Sequence, residues 1–151
     1  MQAASADALG TAVDSTRCQP DATAGVPMRI RTGVGLRFQD VVDDLEFAIT
    51  ERNFRITGRN TIGKGLRERG YSGYPEYEVI HFCNLENAKQ VLDLDPRFVA
   101  QMPCRVTVHT EGEVIVVSML LLSEVHALPE VRNFAERLNG ELCAIQDFAL
   151  P

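Results

Sequence analysis

Several of the usual markers of function are missing from this chain. It contains no run of Lys or Arg, and its net charge is -6, with 21 acidic residues spread along its length. A phosphate-backbone partner needs clustered cations, so no nucleic-acid partner is expected. The longest apolar run, Val114 to Leu122, is broken by Ser118. It stops far short of the roughly 20 residues that cross a bilayer, so no membrane is expected either. Met1 to Leu9 has no basic stretch and no apolar core, and Asp7 interrupts it, which does not match a secretory signal. A reducing, cytoplasmic setting is the resulting expectation. With it come thiols, rather than disulfides, at Cys18, Cys83, Cys104 and Cys143, and Cys18 reads as incidental. No CxxC or HxxxH spacing, no Ser/His/Asp set and no paired carboxylates at clear spacing occur. Gly63-Lys64-Gly65 lacks the preceding strand and the spacing of a phosphate loop.

What is present is enough apolar material for one core. Apolar residues make up 45% of 151 residues, which suits a single domain. Residues 1–27 are rich in Ala, Ser, Thr, Asp, Gly and Pro without a period of two or 3.6, and read as a flexible arm. The domain then spans 28–151. Met28 to Gly35 alternates as a half-buried strand. Phe38, Val41, Val42, Leu45, Ala48 and Ile49 form the stripe of a first helix, ended by Asn53. Phe54 to Arg59 is a second strand, and Thr61 to Arg69 a short helix stopped by Gly70.

Tyr77 to Cys83 alternates with Tyr77, Val79, His81 and Cys83 on one face and Ile80 and Phe82 on the other. Both faces carry apolar groups, so this strand is expected to be central and covered twice. Asn84 is placed to cap a helix ended by Pro96. Cys104 to Thr110 turns Cys104, Val106 and Val108 inward. Glu111-Gly112 signals a hairpin into Val114 to Met119, and a last helix starts near Pro129. This order predicts an α+β fold: a twisted, mostly antiparallel sheet of about five strands packed by helices.

The helix that ends before Phe54, then Phe82-Cys83-Asn84, then Pro103-Cys104-Arg105-Val106-Thr107-Val108, resemble the family called domain of unknown function three-zero-two. The family carries a cysteine-asparagine pair after a central strand and a Pro-Cys before the next. Leu85 stands where its members usually have proline. The likeness covers roughly Met28 to Leu150. It implies a TATA-binding-protein-like α+β arrangement and a homodimer, and it implies no established activity.

The candidate site is built on these motifs. His81 and Cys83 share a strand face, about 7 Å apart. With Cys104 they would form a Cys/His/Cys set suited to a soft metal ion, with Cys143 or His126 as a possible fourth ligand. A haem held by one Cys or His is the other cofactor considered. Asn84 and Arg105 complete the expected ligand-binding set, Arg105 or Lys64 serving a small anionic molecule. The favoured function is a small-ligand or metal-binding homodimer. The alternatives are a thiol-based redox or sulfur-handling protein, and an interaction module whose cysteines are inert fillers.

Overall fold

The computed structural model describes residues 17–21 and 25–150. The arm expected over residues 1–27 lies largely outside them. Strand β1 (Met28–Val34) leads to helix α1 (Phe38–Glu51), strand β2 (Arg55–Thr61) and the short helix α2 (Ile62–Glu68). Strand β3 (Tyr77–Cys83), helix α3 (Leu85–Leu94) and a 3-10 turn (Pro96–Gln101) follow. Strands β4 (Cys104–Glu111) and β5 (Val114–Leu120) then precede the long helix α4 (Pro129–Ala149). The elements appear in the expected order, with the 3-10 turn added. Pro96 both stops α3 and opens that turn, because its fixed φ suits a first helical position.

The five strands form one antiparallel sheet in the order β1-β5-β4-β3-β2. Alternation divides it into two faces. Ile80 and Phe82 of β3, Val106 and Val108 of β4, and Ile115, Val117 and Met119 of β5 are buried on one face. Val41, Val42, Leu45 and Ile49 of α1, Val91 of α3, and Val131, Phe134, Leu142 and Ile145 of α4 pack onto it as a single core. On the other face Tyr77, Val79 and His81 of β3 are only half-buried. The expectation that β3 is covered twice is therefore corrected: its second face is only half-buried, because the core helices all pack on the other face.

Strand β1 puts a charge where its apolar residues might have gone. Arg29, Arg31 and Gly33 pair across from Met119, Val117 and Ile115, so they face the helices. Arg29 is 0% exposed. Its Nη1 donates to Gln146 Oε1 at 3.0 Å and its Nη2 meets Asp147 Oδ1 at 3.0 Å. Gln146 Nε2 in turn donates to the carbonyls of Arg29, at 2.8 Å, and Val117, at 3.0 Å. One amide thus ties α4 to β1 and β5.

The structure also corrects the reading of the cysteines. Cys18 and Cys143 are disulfide-bonded, with Cα atoms 5.6 Å apart, and only Cys83 and Cys104 are free. Among the described residues no helix is long and apolar enough to cross a membrane.

Replacing Arg29 with Met would strand Gln146 Oε1 in the core without its donor, which costs roughly 1–3 kcal/mol. Urea unfolding of Arg29→Met, Gln146→Leu and the double variant should show losses that fail to add by more than about 0.5 kcal/mol. Additive losses would mean that the two side chains stabilise the fold independently.

Candidate functional site

The site forms where β3 and β4 end against the helices. Phe82 lies directly across from Cys104 in the β3–β4 register. Cys104 therefore belongs to the helix-facing set with Val106 and Val108. Cys83 is the last residue of β3 and sits at the rim. Both free cysteines border one cavity of about 30 Å³, walled mainly by Phe54, Phe98, Met102, Phe134 and Leu138. Cys83 also borders an outer groove of about 570 Å³, with Asn53, Arg55 and Thr57 along the β2 side. It thus stands between solvent and the cavity, with Cys104 behind it.

Burial, and secondarily the neighbouring Cys83, push the Cys104 thiol up to about 12. Burial leaves a thiolate there poorly solvated, although the Cys104 residue keeps partial exposure.

Asn84 does what its position predicts and one thing more. Its Oδ1 accepts from the Asn87 amide at 2.9 Å, capping α3. Its Nδ2 donates to the Asn53 carbonyl at 3.0 Å, fastening the start of α3 to the loop between α1 and β2. Asn53 makes that turn with φ at 66°, a conformation asparagine tolerates. Asn84 is therefore a positioning residue for the cysteine beside it.

The remaining expected site residues lie elsewhere. His81 and Arg105 are directly opposite each other in the register, on the open face of the sheet. His81 Nε2 is 3.0 Å from Asn60 Oδ1, and Arg105 is exposed. The set of His81, Cys83 and Cys104 is not assembled, because period two puts His81 on the face opposite Cys104. The proposed fourth ligands are also engaged: Cys143 in the disulfide, and His126 Nε2 with Asp95 Oδ2 at 2.7 Å. That contact lowers the Asp95 carboxyl, the His126 hydrogen bond being the main cause and the Arg97 amide the next. Among the described residues, no three His, Cys, Asp or Glu side chains are grouped to hold a metal ion. Lys64 pairs with Glu68 at 3.7 Å on the surface of α2.

The residues that reading the sequence missed are the apolar walls. Phe54 comes from just before β2, and Phe98 and Met102 from the 3-10 turn and its C-terminal cap. The one local signal was the Met102-Pro103 pair before Cys104, whose peptide bond is cis.

Comparison with known proteins agrees with this architecture. The family described as "Domain of unknown function DUF302" matches residues 30–147. No curated protein matches the chain. A crystal structure of an uncharacterized conserved protein DUF302 from Bacillus stearothermophilus superposes with a TM-score of 0.70 at 19% identity. The match covers 80% of this chain and 97% of that one, and at this identity it speaks for the fold.

The raised Cys104 value fixes the sign of a pH effect. The unfolded thiol ionises near its ordinary value of about 8.5 while the folded one stays protonated. Stability from this group is fully present below about 8.5 and is lost as pH rises towards about 12. Cys104→Val should flatten that alkaline decline in thermal unfolding. In the native wild type at pH 8, iodoacetamide should modify Cys104 about a thousandfold more slowly than in urea. Equal rates in the two states would contradict the assignment.

Proposed function

The chain belongs to the DUF302 family, and from the placement of its two free thiols we propose that it binds a small soft ligand, a monovalent soft metal ion, between Cys83 and Cys104. One observation carries this reading: both free cysteines border the same small and mainly apolar cavity, with Asn84, Asn87 and Gln101 as its polar lining. About 30 Å³ suits an ion or one or two waters and not a porphyrin, which favours the metal over haem. Zinc in a structural site needs four ligands, and two thiols at this cavity fall short of that number. Thiolates select soft ions such as Cu(I). A bound cation would also reverse what holds Cys104 protonated, since a coordinating thiol loses its proton outright. Asn84 serves by fixing where Cys83 sits, and His81 and Arg105 stand outside the ligand set.

A second reading, thiol redox chemistry, is favoured by the accessibility of Cys83 from the outer groove with Cys104 behind it. Peroxide would convert the Cys83 thiol to a sulfenic acid with release of one water. Cys104 would then displace a second water to close a disulfide. The homodimer is retained here on the strength of the sequence resemblance.

Titrating the full chain, with Cys83 and Cys104 free and the Cys18–Cys143 bridge closed, with Cu(I) against a chromogenic chelator tests the first reading. One equivalent should be retained. Cys83→Ser and Cys104→Ser should each weaken retention at least about a hundredfold, while His81→Ala leaves it unchanged. If the double serine variant holds Cu(I) as well as wild type, the site is elsewhere. For the second reading, peptide mapping after mild peroxide treatment should find a Cys83–Cys104 bridge; overoxidised or untouched thiols without that bridge discard it. Sedimentation of the same protein should give the dimer mass, a monomer at all concentrations removing that part.

A further inference from the structure

The Cys18–Cys143 bridge joins the segment before β1 to the last helix, 125 residues away in sequence. Its two ends are in different surroundings. Cys18 is exposed, as are Arg17 and Gln19 beside it. Cys143 is 4% exposed on the inner side of α4. An incoming thiolate can therefore reach the Cys18 sulfur and not the Cys143 sulfur.

Among the described residues the segment is otherwise held by backbone and carboxylate hydrogen bonds, one of them from the Leu121 amide to the Pro27 carbonyl at 2.8 Å. Asp21 donates its amide to the Met28 carbonyl at 2.7 Å, and its carboxylate accepts from the Ile30 amide at 2.6 Å. By contrast α4 is held without the bridge. Val131, Phe134, Leu138, Leu142 and Ile145 anchor it in the core, and Gln146 anchors it to the sheet. A resting place for the opened thiol already exists, because the Asn139 carbonyl lies 3.0 Å from the Cys18 sulfur. The reduced Cys18 S–H would donate to that carbonyl weakly, as thiols do.

We propose that the Cys18–Cys143 bridge is a releasable clasp, which a dithiol opens in the folded protein, freeing the residues around Cys18 from α4 while the sheet and core stay intact. The electrons come from the dithiol. One of its thiolates attacks the Cys18 sulfur, the protein S–S bond breaks, and Cys143 leaves as a thiolate and takes up a proton. The second thiol of the reductant then displaces Cys18, giving two protein thiols and an oxidised cyclic disulfide. In a reducing cytosol such a clasp stands open, and in an oxidising compartment it stands closed. This inference is independent of any ligand at Cys83 and Cys104.

The full chain is equilibrated with oxidised glutathione and then treated with millimolar dithiothreitol without denaturant. Alkylation after an acid quench and denaturation, read by mass spectrometry, should find two free thiols before treatment, at Cys83 and Cys104, and four after it. Hydrogen exchange should accelerate at least about tenfold at the Asp21 and Ile30 amides, with β3 and β4 amides unchanged. Cys18→Ser, which removes the bridge and leaves Cys143 as a buried thiol, should show the fast exchange in both buffers. The clasp is overturned if all four cysteines are alkylated before treatment. It is equally overturned if the bridge resists dithiothreitol until urea unfolds the chain, or if the Ile30 amide is as protected in Cys18→Ser as in the oxidised protein.

Discussion

The buried guanidinium of Arg29 is the constraint from which the rest of this molecule is arranged. Removing such a charge from water costs several kcal/mol unless its donors are met. Gln146, the Cys143 carbonyl at 3.4 Å and Asp147 meet its two Nη groups, and all three lie on one helix. That requirement sets the register of β1: a slip by one residue would bring Ile30 to the helices and leave the polar face of α4 unmatched. Gln146 carries the constraint onward by binding the backbone of two neighbouring strands. Once α4 is so placed, its Phe134 and Leu138 arrive as walls of the cavity near the cysteines. The arrangement of the candidate site is thus inherited from an interaction at the opposite end of the sheet order.

The two faces of the sheet have different chemistry for the same reason. The helix side holds the Cys104 thiol in its neutral form by burial. The open side holds groups that satisfy each other in solvent: Tyr77 stacks on His109 with centroids 5.6 Å apart, and His109 reaches Glu111 at 2.8 Å.

Much of the fold was legible from residue order because the signals were local. Strands β3 and β4 alternate cleanly, Asn84 caps by its own side chain, and Gly112 takes the positive φ of 64° that the hairpin needs. Three features were not legible, each for a non-local reason. The inward face of β1 is decided by a glutamine more than a hundred residues away, whereas Met28 and Ile30 advertise the opposite face. The separation of His81 from Cys104 depends on which residue of β3 lies across from Cys104, and that register is set by pairing and not by either strand alone. The partnership of Cys18 with Cys143 arises because the segment before β1 crosses α4, a placement that spacing in the chain does not encode.

The strand order also bears on how the chain comes to be folded at all. β1 is the first strand made, yet its ladder partner is β5, the last, with Met28 opposite Leu120. Local pairings β2 with β3 and β4 with β5 can form as the chain grows, whereas β1 must wait for nearly the whole domain. Late closure of so distant a contact slows folding and prolongs exposure of an unpaired edge. Arg29 and Arg31 then acquire a second significance. During that interval they are charges along a waiting strand, and such charges discourage it from adding to the sheet of another molecule. The residue that is costly to bury in the finished protein is, for the growing chain, a safeguard against association.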